Sequence, residues 1–270
     1  MALNDLCPLA DVKLWLGRTD TNSDALLASL ITRASRDIYS YLQRPLLLPR
    51  TVTEIRDGTG RTSLILKQWP VISIASVAAC EQTIPPCSAE AEFGTGYVVE
   101  QWSGVPPGRS QALSLRGYSF PQGAQNATIV YQSGYQVTAE PQTVSSGTAT
   151  VNAPFGNWAS DVGVSYANGM ALTQVASAPA VGQYALDATA GTYDFNAGDD
   201  RASILISYGF VPSDLADACI ELVSERFKYS ERIGEKTHSL GGNETVAFDT
   251  TRFTPLIAAM LQPYKNLVPL

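Results

Sequence analysis

Hydrophobic positions along this chain recur first at helical spacing, then at strand spacing, then at helical spacing again. In LADVKLWLG, residues 9–17, Leu9, Val12 and Leu16 fall on one face of a short helix, and Gly17 supplies its stop. A longer helix is predicted in TNSDALLASLITRASRDIYSYLQRP, where Leu27, Leu30, Ile31, Ala34, Ile38, Tyr41 and Leu42 share a face and Thr21 or Ser23 is the cap. Pro45 is its predicted end, because proline disfavours helix at the residue before it. The period then falls to two. TVTEIRDGTGRTSLILKQWPVISIASVAA reads as a strand, an Asp-Gly turn and two more strands parted by Trp69-Pro70. Further strands are predicted in ALSLRGYSF and ATIVYQSGY, with Gly- and Pro-rich loops such as SGVPPGRS between them. Helical spacing returns in PSDLADACIELVSERFKYSERIG, through Leu215, Cys219, Leu222 and Val223.

Charge sharpens this division. The chain has 270 residues, 45% of them hydrophobic, and a net charge of -7. A chain of this size buries a core without disulfide or metal staples. It has globally neither the basic patch nor the high pI of most nucleic-acid binders, which does not exclude a protein that DNA must pass without sticking. Between Val137 and Asp200 there is no Lys or Arg, while Glu140, Asp161, Asp187, Asp194, Asp199 and Asp200 all fall there. That block reads as β throughout, in GTATVNA, DVGVSYANGMALTQV, GQYALDA and GTYDFNA. Two strands that flank it, ATIVYQSGYQV at 127–137 and ASILISYGFV at 202–211, resemble each other, each ending in a Gly-aromatic step. The expectation is an α+β chain: a host domain over 1–137 plus 202–270, and an inserted acidic all-β domain over 138–201.

Candidate chemistry adds little. The N-terminus MALNDLCPLADVK lacks the basic region and apolar run of a signal peptide, and no stretch reaches the roughly 20 apolar residues of a membrane span. The chain therefore reads as a soluble protein made in a cytoplasm. Cys7, Cys80, Cys87 and Cys219 form no C-x-x-C pair. Cys219 reads as a small buried hydrophobe, and all four are expected as free thiols in a reducing compartment; Cys80 and Cys87 would bridge a loop only under oxidising conditions. His238, the sole histidine, lies beside Gly241-Gly242 in a polar segment and has no fixed partner in view for base catalysis. DGTGRTS at 57–63 places Gly58 and Gly60 in turn context, without the third glycine of a dinucleotide fingerprint or the Gly-Lys-Ser/Thr of a P-loop. DFNAGDD at 194–200 gathers Asp194, Asn196, Asp199 and Asp200, but lacks the downstream Glu of a calcium loop and reads as a turn. Trp69, Trp102 and Trp158 read as core residues before a sugar platform. No catalytic, metal or cofactor site is predicted, and a chain of this kind reads as an assembly part.

The segment ELVSERFKYSERIGEKTHSLGG, then NETVAFDT, then PLIAAMLQPYKNL resembles the C-terminal region of the head–tail connector (adaptor, head-completion) proteins of long-tailed phages. The N-terminal order agrees: two helices, a YLQRPL step, a DG hairpin and a WPVISI strand. The likeness covers about residues 1–80 and 200–270. The segment from Asp161 to Tyr208 is similar in turn to a small β domain that recurs in phage structural proteins, and the minimal adaptor lacks it.

The resemblance implies an α-helical adaptor domain with a β-hairpin part plus the inserted β domain, and no enzymatic activity. It implies a ring of copies, a dodecamer, beneath the portal protein, with the head-closure (stopper) or tail-side neck protein below. Genome DNA would pass through the channel without sequence-specific binding. The place implied is the virion neck, after assembly in the host cytoplasm and with no membrane. In this frame the C-terminal arm docks on the portal or a neighbouring subunit. Gly241 and Gly242 offer a hinge or a tight turn. Val246 and Phe248 add as a strand or lie extended on the partner. Thr254 and Pro255 start a helix that presents Leu256, Ile257, Met260 and Leu261, with Phe253 and Tyr264 beside it. The plainer alternative is that this helix packs back on its own subunit. The insert's acids either keep the particle soluble or face the channel and repel DNA. Two other readings stand behind this one: a phage tail or decoration protein whose insert binds a receptor or carbohydrate, and, least favoured, a cell-wall hydrolase.

Overall fold

Two helices lead into a long β region, and helices follow it. The computed structural model describes residues 4–90, 94–102, 105–187, 191–230, 237–239, 245–247 and 253–266. Helix and strand together give the α+β class read from the periodicity. No helix among the described residues is long and apolar enough to cross a membrane. Two compact units emerge, Met1–Pro45 with Pro212–Lys265, and Leu46–Val211 with Asn266–Leu270.

The first unit is built on α1 (Leu9–Trp15), α2 (Asp24–Leu42), α3 (Ser213–Ser230) and α4 (Pro255–Leu261). Gly17 stops α1 as predicted. At φ +66° its N–H donates to the Leu14 carbonyl (3.1 Å) while Arg18 N–H reaches the Lys13 carbonyl (2.9 Å), so two orphan carbonyls are satisfied. Ser23 stands at the N-cap of α2 but makes no capping bond; its hydroxyl accepts from the Arg18 guanidinium at 3.4 Å. The helix ends two residues before the predicted stop region at Pro45, because Gln43 turns left-handed with φ 54°. Leu27, Ile31, Ala34, Ile38 and Leu42 of α2 meet Leu215, Cys219, Leu222 and Val223 of α3 in a buried core. Each buried Leu, Ile or Val there contributes about 1.5–3 kcal/mol. Leu30 and Tyr41, expected on the same face, are only half-buried, and Ser35 takes an inner position instead. Its hydroxyl accepts from Leu6 N–H at 3.0 Å and lies 3.6 Å from the Cys219 sulfur.

The second unit opens with β1 (Arg50–Gly58), β2 (Ser63–Ile65), β3 (Val71–Ala79), β4 (Gln82–Ile84), β5 (Gly96–Val99), β6 (Ala112–Arg116) and β7 (Gly123–Ser133). One sheet has the order β1-β7-β3-β4, another β2-β6-β5. The two share a core in which Val77, Ile129 and Tyr131 meet Leu64, Leu113 and Leu115. The Asp57-Gly58 step is therefore not the predicted hairpin turn: β1 continues through it and β2 pairs in the other sheet. Close approach explains this glycine, since a Cβ on Gly58 would lie 1.8 Å from the Pro121 carbonyl oxygen. The hairpin that does form joins β3 to β4 through Cys80 and Glu81, both at positive φ (49° and 66°).

Next come β8 (Gln136–Thr143), β9 (Thr148–Thr150), β10 (Gly156–Tyr166), β11 (Thr173–Gln174), β12 (Gln183–Asp187), β13 (Thr192–Phe195) and β14 (Ser203–Pro212), which runs directly into α3. They form two sheets, β10-β14-β8 and β11-β12-β13-β9. The segment 138–201 lies inside the second unit, as does 46–137. The two look-alike strands meet at their ends. Phe210 N–H donates to the Tyr135 carbonyl at 3.2 Å, and the two rings are 5.8 Å apart. Gly134 and Gly209 both pack against Pro49.

Candidate assembly interface

The sequence-predicted docking residues divide into three groups. Gly241, Gly242 and Phe248 lie outside the described residues. Val246 sits in β16 (Thr245–Ala247), which pairs antiparallel with β15 (Thr237–Ser239) so that His238 opposes Val246. The third group belongs to α4 and its flanks. Thr254 caps the helix by accepting from Ile257 N–H at 3.4 Å, as its sequence predicts. Ile257, Leu261 and Tyr264 are buried within the first unit, and the Tyr264 hydroxyl donates to Asp214 at 3.2 Å. Phe253 stacks on Tyr41 with ring centroids 5.0 Å apart, and Lys265 lies over the same Tyr41 ring at 4.9 Å. Met260 is half-buried, and Leu256 points outward, 58% exposed.

Sequence reasoning missed a second set of surface positions. At the end of α1, Leu14 is 82% and Trp15 63% exposed. The charges beside them are held internally: Lys13 pairs with Asp24 at 2.8 Å and Arg18 with Asp20 at 3.8 Å. The apolar-periodic pattern assigned Leu9, Val12 and Leu16 inward, so Leu14 and Trp15 falling off that face was the available signal.

A third feature is the outer face of the β1-β7-β3-β4 sheet. On β1 the inward positions are Val52, Glu54 and Arg56, and Thr51, Thr53 and Ile55 face solvent. On β7 the outward positions are Thr128, Val130 and Gln132. The register sets Ile55 opposite Thr128 opposite Ala78, and Thr53 opposite Val130 opposite Ser76. Ser73 and Gln132 bond across the same face at 3.3 Å. These positions are uncharged, but Asp57 continues the same outward run of β1 and Glu81 stands at the hairpin end, and both are exposed. At its hairpin end the face opens on a cavity of about 470 Å³, lined by Ala78, Thr128, Cys80, Glu81, Gln125 and Asn126.

The residues that looked chemical in the sequence are occupied in holding the fold. Asn196 caps a turn by accepting from Gly198 N–H at 2.9 Å. Asp199 is buried and accepts from the Tyr166 hydroxyl (2.6 Å) and Gly182 N–H (3.2 Å). This motif recurs. Glu140 accepts from Tyr208 (2.5 Å), Gln142 and Asn152 N–H (both 2.7 Å). Asp161 accepts from Tyr184 (2.6 Å) and Tyr193 (3.1 Å), and Glu54 from Tyr131 (2.8 Å). Burial and the neighbouring carboxylate push the phenols of Tyr131, Tyr184 and Tyr208 well above their ordinary range. Trp69 and Trp102 flank Gly108, whereas Trp158 lies apart and donates its indole N–H to Tyr193 at 3.1 Å. The three tryptophans do not form one platform.

No curated protein matches the chain. Among solved structures, a chain from the neck of an empty GTA particle, computed with C6 symmetry, is similar at 12% identity and a TM-score of 0.40, covering 98% of this chain and 92% of that one. Residues 8–66, which span α1, α2, β1 and β2, match the family described as Phage gp6-like head-tail connector protein. Over that segment the chain is thus similar to the head–tail connector proteins of phages, and the resemblance read from the sequence is shown there.

Proposed function

We propose that this chain is a structural protein of the virion neck, a head–tail connector that assembles as a ring under the portal protein and links the DNA-filled head to the tail. The family match of residues 8–66 carries this reading. Its role is assembly rather than catalysis: apolar surface is buried between copies and against the portal on one side and the head-closure or tail-side neck protein on the other. Genome DNA crosses the ring without sequence-specific contact. Residues 138–201 serve as an inserted β domain, a reading supported by the sheet β11-β12-β13-β9, whose four strands all fall within those residues. The C-terminal segment docks on the portal, with Leu256 as its outward apolar position.

The test is binding to the portal protein of the same genome by the full chain, by a chain truncated after Arg232, and by Leu256→Asp. Truncation also removes the buried Ile257 and Leu261, so the exposed-site variant separates docking from folding. A complex formed by the full chain and lost in Leu256→Asp supports a docking arm. Binding by all three assigns docking to the ring body. No binding by the full chain refutes the connector reading.

A further inference from the structure

We propose that Cys7 and Cys219 are a redox-closable pair, which a disulfide oxidant joins into a bond that ties the segment before α1 to α3. Both residues lie in the first unit and both are 0% exposed. The segment around Cys7 is drawn inward, with Asp5 and Leu6 buried beside it. Leu6 N–H donates to the Ser35 hydroxyl at 3.0 Å, and that hydroxyl lies 3.6 Å from the Cys219 sulfur. The Cys7 thiol is itself in hydrogen-bond contact with Cys219. Thiols in such contact meet the condition that separates a bridgeable pair from an unbridgeable one, because their side chains point at each other. Cys80 and Cys87, the pair that sequence spacing suggests for an oxidised loop, engage different partners instead. Asn126 donates to the Cys80 sulfur at 3.5 Å, and the Cys87 thiol donates to the Ser88 carbonyl at 3.5 Å.

The oxidant is a low-molecular-weight disulfide such as oxidised glutathione. One chain thiol loses its proton and attacks it, which forms a mixed disulfide and releases one reduced glutathione. The second chain thiol loses its proton and attacks the chain sulfur of that mixed disulfide, which forms the Cys7–Cys219 bond and releases the other reduced glutathione. Two protein thiols are thereby oxidised and one disulfide is reduced. Both sulfurs are buried, so the oxidant reaches them only through local opening of the N-terminal segment. The pair therefore stays open in a reducing cytoplasm and closes slowly outside it. The linked residues are far apart in sequence, so the bond closes a long loop and removes much of the unfolded chain's freedom. Cysteines that only fill space would gain nothing from oxidation. The bond does not depend on the connector reading; a virion neck, built in a cytoplasm and carried out of it, supplies the occasion for closure.

The test uses the full chain carrying Cys80→Ser and Cys87→Ser, which removes the two thiols that are not buried. The chain is equilibrated with mixtures of reduced and oxidised glutathione, both folded and in denaturant. The folded samples are reached by refolding from denaturant in the same mixtures, so access to the buried sulfurs does not limit the reaction. Peptide mapping without reductant identifies the product, and thermal unfolding of the oxidised and reduced forms reads its effect. The expected product is a peptide pair joined through Cys7 and Cys219. The effective concentration of the pair against glutathione should be higher in the folded chain than in denaturant, by about tenfold or more, and the oxidised form should have the higher Tm. Cys7→Ser or Cys219→Ser in the same background should abolish both effects. Glutathione adducts or linked dimers as the main product, an effective concentration no higher than in denaturant, or a Tm unchanged or lowered by oxidation each overturn the inference.

Discussion

Gly134 is the position where adding one methyl group should cost most. It lies between β7 and β8 at φ +146°, a conformation that is essentially reserved for glycine. A Cβ there would stand 2.5 Å from the Leu48 carbonyl carbon, 2.5 Å from the Pro49 nitrogen and 2.6 Å from the Leu48 oxygen. All three are backbone atoms and cannot swing aside. Gly134→Ala therefore combines a conformational cost of about 1–3 kcal/mol with an overpacking cost of about 1–3 kcal/mol. Gly163 isolates the first of these costs. Its φ is +150°, nearly the same, yet nothing lies within 4 Å of its missing Cβ. Gly163→Ala should lose only the conformational part. The assay is urea and thermal unfolding of both variants beside the native chain, reading the β unit by far-ultraviolet circular dichroism. For a unit of this size each kcal/mol lowers Tm by roughly 2–4 °C, so the two variants should differ by several degrees, with Gly134→Ala lower. Equal losses would show that the contact with Leu48–Pro49 is not rigid and would refute the reasoning.

Three other outcomes follow from the same structure. Tyr208→Phe keeps a fully buried ring but removes a hydrogen bond to the Glu140 carboxylate; it should destabilise by about 1.5–3 kcal/mol in denaturant titration. Asp217 is exposed on α3, yet partial desolvation first and Asp214 and Asp11 next raise its carboxyl above 3.8, so ionisation opposes folding and stability falls as pH rises above that value. Asp217→Asn should thus stabilise at pH 7 by roughly 0.2–0.5 kcal/mol, as for relief of an i,i+3 like-charge pair, and should match the native chain at pH 3. Cys80 is exposed and Cys87 partly so, while Cys7 and Cys219 are buried, and the Cys7 thiol is pushed far up by its hydrogen bond with Cys219 and by burial. An aromatic disulfide reagent should therefore titrate two thiols in the native chain and four in denaturant.

Elements with strong period were legible in the sequence, and their pairing was not. The repeat of Leu215, Cys219, Leu222 and Val223 gives α3 because one helical face is wholly buried. The likeness of ATIVYQSGYQV to ASILISYGFV marked two strands whose Gly-aromatic ends meet over Pro49, although nothing local indicated that they touch. Where polarity and burial part company, the reading failed. In TVTEIRDG the inward side chains are Val52, Glu54 and Arg56, and the apolar Ile55 faces out. Glu54 is tolerated inside because Tyr131, Arg56 and Lys67 N–H all donate to it, and two of those donors, Tyr131 and Lys67, lie outside β1 at places whose pairing the sequence does not state. The end of α2 at Gln43 was hidden for a similar reason: a left-handed glutamine carries no signal comparable to glycine or proline. Of the docking residues, Leu256 is outward and Ile257 inward, a distinction made by packing against α3 rather than by helical spacing alone.

The acidic block also changes meaning once its partners are known. Its six carboxylates, with no Lys or Arg among them, suggested a surface that either keeps the particle soluble or repels passing DNA. Glu140 and Asp199 are buried, and Asp161 lies between two tyrosine hydroxyls, so half of the six accept internal hydrogen bonds. Only Asp187, Asp194 and Asp200 are exposed. The three inner residues are structural in the same sense as Glu54 of the preceding sheets: each accepts from a tyrosine hydroxyl, and for Glu140 and Asp161 the phenols, Tyr208, Tyr184 and Tyr193, are buried. The shortage of Lys and Arg is then what makes tyrosine the partner of choice, since no basic side chain within the block is available to pair with an inner carboxylate. Among the block's carboxylates, Asp187, Asp194 and Asp200 are the ones exposed to DNA or solvent, and a role in repelling phosphate should be sought first at those residues.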